Sequence, residues 1–143
     1  MRTYYIFNIN NHFAYVYKHK PYKVYKVLEE IYTRGKYDVT YTYKLYDDIA
    51  KRIDKNILNE YIYYNYRSNF FYRIYDNIHI YNNREYSKLT INNCNIKLKT
   101  NVNFPIFLKN LINYSDNLFV CDFINKDYFW LNTITSKQFM RIN

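Results

Sequence analysis

The sequence predicts an α+β fold: a mainly antiparallel sheet packed with about three helices, forming a single domain over residues 1–143. Three observations carry that prediction. Asn-bounded runs of aromatic and β-branched residues recur from Ile57 onward, the texture of a sheet built from hairpins. Apolar residues recur at three- and four-residue spacing in separate stretches after Pro21, Tyr41 and Asn103, the signature of amphipathic helices. The chain of 143 residues holds one Gly and two Pro and is 22% aromatic, which favours a packed core over a linker-rich or disordered chain.

Tyr4 to Tyr17, YYIFNINNHFAYVY, reads as a strand that turns through Asn8–Asn11 into a helical turn. Alternation places Tyr4, Ile6 and Asn8 on one face and Tyr5, Phe7 and Ile9 on the other, so the strand is expected to be covered on both sides. Asn10 or Asn11 can cap the turn, and Phe13, Val16, Tyr17 and Lys20 then share a stripe. Pro21 opens a helix whose apolar face is Val24, Tyr25, Leu28, Ile31 and Tyr32, with Gly35 as its stop. Leu45, Tyr46, Ile49 and Ile53 mark a second helix over Tyr41–Ile53, with Asp47, Asp48, Lys51 and Arg52 on its polar side.

Candidate strands follow at Ile57–Tyr66, Phe70–Tyr75, Ile78–Tyr81, Ser87–Ile91 and Asn95–Thr100, with turns at Arg67–Asn69, Asn82–Asn83 and Asn92–Asn93. Phe104, Phe107, Leu108, Leu111 and Ile112 form one face of a third helix beginning near Asn103, with Pro105 in its first turn. Leu118 to Asn132 contains two apolar runs around Asn125-Lys126-Asp127, a polar triplet of hairpin-loop length. The segment Thr133–Asn143 is polar apart from Ile134, Phe139, Met140 and Ile142 and reads as a loosely packed tail.

The formal net charge of +9 raises nucleic acid, an anionic membrane or an acidic protein as partners. Outside the cluster Lys18, Lys20, Lys23 and Lys26 the cations are scattered singly, which reads as a solvated basic surface. Cys94 and Cys121 have no CxxC or Cys/His ligand spacing, so two reduced thiols in a cytosolic protein are expected, and no apolar run is long enough to span a membrane.

Chemistry finds no foothold. His12, His19 and His79 lack metal-ligand or nucleophile spacing and read as capping or surface residues, and Gly35 alone cannot build a phosphate-cradling loop. The pairs Asp47/Asp48 and Glu29/Glu30 are adjacent on helices and point apart. Neither an enzyme nor a cofactor is expected. The aromatic–basic stretch Tyr61–Arg73 offers an alternative, a basic nucleic-acid-binding module working through Tyr63, Tyr66 or Phe71, although packing in the core is the favoured reading.

Two sets of residues carry a family resemblance. Tyr4-Tyr5, Phe13-Ala14 and Tyr17 at one end, with Asp122-Phe123, Asn125-Lys126, Tyr128 and Trp130-Leu131-Asn132 at the other, resemble the sporulation inhibitor of replication family, SirA. That resemblance implies a cytoplasmic, monomeric regulator that binds domain I of the replication initiator DnaA and blocks new rounds of replication as a cell enters sporulation. It implies no enzyme activity, no cofactor and no direct contact with nucleic acid or membrane. By the same resemblance Phe13 and Tyr17 are partner-binding, as are Asp48, Ile49 and Arg52 of the second helix. Thr133 is a further candidate, standing where the family has a functional Pro.

Overall fold

Strand β1 (Arg2–Ile9) lies between two long neighbours and has a core on each face. The computed structural model describes residues 1–134. After β1 come α1 (Asn11–Tyr17), α2 (Pro21–Arg34), α3 (Val39–Ile49), β2 (Ala50–Lys51) and α4 (Lys55–Tyr66). The chain continues through β3 (Tyr72–Tyr75), β4 (Ile78–Asn82), β5 (Tyr86–Ile91), β6 (Ile96–Thr100), α5 (Ile106–Leu111), β7 (Leu118–Asp122) and β8 (Asp127–Trp130). A 3-10 turn, Leu131–Thr133, closes the described chain.

The eight strands make one sheet in the order β3-β4-β5-β6-β1-β7-β8, every pairing antiparallel, with short β2 continuing along β1 beyond the end of β6. The α+β class is as expected. Tyr4 and Ile6 enter the core under α4 and α5, while Phe7 and Ile9 enter the core under α2 and α3. Alternation alone predicts that division, because a strand with two apolar faces has to be covered twice.

One assignment fails. Ile57–Tyr66, expected as a strand, is helix α4. Asp54 caps it, its side chain accepting from the Ile57 N–H at 3.2 Å, and Leu58, Ile62 and Tyr66 are buried at four-residue spacing. Tyr and Ile lie only slightly below the better helix formers, so a capped apolar stripe outweighs their strand preference. With α1 and α4 the described chain has five helices, not three.

Other boundaries move. α3 begins at Val39 because Asp38 caps it through the Tyr41 N–H, and it stops at Ile49 because Ala50 turns extended to pair with Ile9. α5 starts at Ile106, one residue after Pro105, so the third helix is shorter than expected. Gly35 does stop α2, but in an ordinary right-handed conformation; a Cβ there would meet the Ile31 carbonyl oxygen at 2.8 Å. Close approach requires this glycine. The expected tail lies outside the described residues from 135 onward.

The closing hairpin is where expected, between β7 and β8. Asp122, 1% exposed, accepts from the Asn125 backbone and side-chain N–H groups and from Arg2 Nε at 3.0 Å, and Arg2 Nη2 reaches Asp127 at 2.9 Å. Lys126 takes the left-handed turn position at φ 55°. Burial pushes the Asp122 carboxyl up, but the Asn125 donors and the Arg2 guanidinium outweigh it and hold the group below its usual range.

Candidate functional site

Where β1 ends, Asn10 leaves the sheet and caps α1, its Oδ1 accepting from the Phe13 N–H at 2.8 Å. The same side chain donates from Nδ2 to the Asp48 carbonyl at 2.8 Å, and the Asn10 backbone N–H donates to the Ile49 carbonyl at 2.9 Å. One residue thus ties the start of α1 to the last turn of α3. Unsatisfied donors of a helix start and unsatisfied carbonyls of a helix end are both met at this junction.

On α1, Phe13 and Tyr17 are one helical turn apart and their rings lie 4.6 Å between centroids at 42°. Both are half-buried, with their inner edges against the core that contains Phe7, Ile9 and Ile49. They neither vanish into the core nor stand free of it. Their outer edges therefore form a preformed apolar surface whose geometry is held by packing beneath. Lys18, Lys20 and Lys23 are exposed around it.

The candidates expected on the second helix divide by burial, and Arg52 lies not on α3 but past β2, because the chain turns extended at Ala50. Asp48 and Arg52 are exposed, with Arg52 3.5 Å from Asp47 and its guanidinium 5.7 Å from the Tyr43 ring centroid. Ile49 is 3% exposed, a core residue of α3. The Asn10 bonds bring Asp48 and Ile49 to the α1 junction through their backbones.

Thr133 stands elsewhere. Its hydroxyl donates to the Trp130 carbonyl at 2.7 Å, and it lines a surface groove of ≈590 Å³ whose opposite wall is Ala14 and Tyr15 of α1 and Lys18 at its C-terminal cap. Tyr15 is 85% exposed. On a helix, residues 14, 15 and 18 fall on a different side from 13 and 17, so α1 presents two faces. Sequence reading missed Tyr15 and this groove. The groove's second wall comes from the far end of the chain, and no local spacing reports it.

The histidine expectation holds for His12 and His19, which are exposed, and fails for His79. His79 is fully buried, with Nδ1 2.7 Å from the Tyr72 hydroxyl and Nε2 2.7 Å from Asn59 Oδ1. Both ring nitrogens are engaged in the core, so this residue braces α4 against the sheet. Both cysteines are free thiols; Cys121 is buried and burial pushes its pKa up, which makes it unreactive. Among the described residues no cluster of His, Cys, Asp or Glu could hold a metal, and no helix is long and apolar enough to cross a membrane.

The family model described as sporulation inhibitor of replication protein SirA matches residues 2–135, nearly the whole chain. The chain belongs to the SirA family. Its family is thus a regulatory one, named for inhibiting replication in sporulation. No match was found among curated proteins. The SirA resemblance read from the two ends also acquires a structural meaning. Tyr4 is a core ring whose hydroxyl donates to the Asn103 carbonyl at 2.6 Å, Asp122 and Asn125 build the closing hairpin, and Trp130 packs edge-on against Phe119 at 4.9 Å. Most of the shared SirA signature maintains the fold. Phe13 and Tyr17 are half-buried, as Tyr5, Phe123 and Tyr128 are, and they are the rings of the signature that lie on α1.

Proposed function

We propose that this SirA-family chain blocks replication initiation by occupying domain I of DnaA, one protein monomer to one domain, through the junction of α1 and α3. The observation that carries the reading is the Phe13–Tyr17 pair, half-buried with centroids 4.6 Å apart on a short helix clamped by Asn10. Rigid aromatics bury a large area at small entropic cost, which is why such residues anchor protein interfaces. Asp48 and Arg52 supply polar contacts beside the pair. Ile49, being buried, acts by holding Asp48 and Asn10 in place. Thr133 and Tyr15 extend the contact onto the second face of α1, and Lys18, Lys20 and Lys23 steer an acidic partner toward it.

No step of this function calls for covalent chemistry; occupancy in the cytoplasm is enough. Calorimetry with purified DnaA domain I tests it. A discrete one-to-one complex is expected, weakened about 30-fold or more by Phe13→Ala or Tyr17→Ala, the loss of an interface anchor worth about 2 kcal/mol. Undiminished binding by the double variant would remove the site, and absence of binding by the native chain would remove the partner.

A further inference from the structure

The helices that cover the α2–α3 side of the sheet stop at β1. The core on that side takes residues from β1, β7 and β8 but none from β3, β4, β5 or β6. On those four strands the alternate side chains face outward with no covering layer among the described residues. The register aligns them in rows: Arg73, Ile80, Lys88, Lys99 and Thr3 in one, Tyr75, Ile78, Thr90, Lys97 and Tyr5 in the next. A third row holds Phe71, Asn82 and Tyr86.

Two properties of this face occur together. It is cationic without compensation: Arg73, Lys88, Lys97 and Lys99 have no acidic partner among the described residues, and no row contains a carboxylate. It also carries open rings. Phe70 is 91% and Tyr75 76% exposed, Phe71 is exposed, and Tyr86 is half-buried. Phe70, Phe71, Arg73, Ile80, Asn82 and Tyr86 surround a groove of ≈420 Å³. Phe71 and Tyr86 flank Asn82, two strands apart, which separates their backbones by about 10 Å and leaves room for a planar ring over Ile80 and Asn82.

We propose that this open sheet face binds single-stranded nucleic acid, with bases stacking on Phe71 and Tyr86 and the phosphates following the Arg73–Lys88–Lys99 row. Charge complementarity selects a polyanion, and the rings select one that carries flat, unpaired bases; a duplex hides its base faces and an acidic peptide has none. Asn82 provides a donor and an acceptor for one base edge. The site shares no residue with the α1–α3 junction and does not depend on the function proposed there.

The test is fluorescence anisotropy of the full chain with a labelled oligothymidylate of about 20 nucleotides, beside a duplex and a polyglutamate of equal length. Single-strand binding is expected to exceed both, with a log–log salt slope of about −2, roughly −0.7 for each phosphate neutralised by Arg73, Lys88 and Lys99. Phe71→Ala and Tyr86→Ala should each lower affinity about 5- to 150-fold, the range for one lost base–aromatic stack. Lys88→Ala should flatten the slope by about 0.7. Phe70→Ala and Tyr75→Ala, at residues outside the core, give a second pair if Tyr86→Ala disturbs folding, which thermal melting reports. Failure to bind the single strand, binding indifferent to all four ring removals, or equal binding of the duplex or of polyglutamate overturns the proposal; the last would make the face a dock for an acidic protein.

Discussion

His79 sits with no exposed atom between Tyr72 and Asn59, and its bonding determines its proton. Asn59 Nδ2 already donates to Asn77 at 2.8 Å, so Asn59 Oδ1 accepts from His79 Nε2–H, and Nδ1 accepts from the Tyr72 hydroxyl. Burial lowers the histidine pKa to about 4. The unfolded chain, with an ordinary histidine, therefore binds the proton first as pH falls, and stability is lost between pH ~6.5 and pH ~4. Denaturant unfolding should show this group contributing a loss of about 2 kcal/mol between pH 7 and pH 5. The same loss in His79→Gln would assign it to other groups. Nothing in the local sequence could have found this residue, since Tyr72 and Asn59 meet it only across β3 and α4. Lys126 is a second case, a residue with a side chain at φ 55° where glycine is at ease. Lys126→Gly is expected to be neutral or to raise the unfolding midpoint by up to ~1 kcal/mol equivalent, because relieved strain is partly offset by a looser unfolded chain.

At the scale of elements, caps and junctions decide which segments become what. Asn10 makes the α1 cap and the bond to Asp48, so Asn10→Ala should cost about 1–2 kcal/mol in denaturant unfolding. Asn10→Asp keeps the cap but loses the donor to the Asp48 carbonyl. If the junction positions the aromatic pair, Asn10→Asp should weaken DnaA domain I binding more than it lowers stability; equal small effects on both would show that α1 is held by its core contacts alone. The closing hairpin rests on Asp122 in the same way. Asp122→Ala strands two Asn125 donors and half of the Arg2 fork, and a loss of about 2 kcal/mol is expected, measured by thermal unfolding. These elements differ in how plainly they are written in the chain. α2 announces itself through Pro21 and its stripe, and the hairpin through its polar triplet. α4 did not, because its tyrosines and isoleucines suit a strand as well as a helix, and the deciding signals were Asp54 and a four-residue spacing of Leu58, Ile62 and Tyr66.

For the whole molecule, one side of the sheet carries two working surfaces, one where α1, α2 and α3 cover it and one beyond β1 where they do not. The α1–α3 junction is apolar with a lysine rim, and the open face of β3 to β6 is cationic with exposed rings. Substitutions on one should leave the other unaffected: Phe13→Ala should not change oligonucleotide affinity, nor Phe71→Ala the affinity for DnaA domain I, since distant sites without shared partners act additively. A crossed effect would mean that both ligands use one surface. The α+β class, the doubly covered first strand, the Pro21 helix and the absence of metal or nucleophile motifs are all properties of local order, in which spacing and turn residues act over a few positions. The SirA signature was likewise present in the residue order. Which rings face outward is not a local property. Phe13 and Tyr17 are half-open because α3 and β1 fill only their inner side, Tyr66 is core while Phe71 is exposed because α4 covers one face of β3 to β5 and, among the described residues, no helix covers the other face of those strands, and Thr133 joins Tyr15 only after β7 and β8 return to β1. Exposure depends on contacts between segments far apart in the chain, and those exist only once the sheet has assembled.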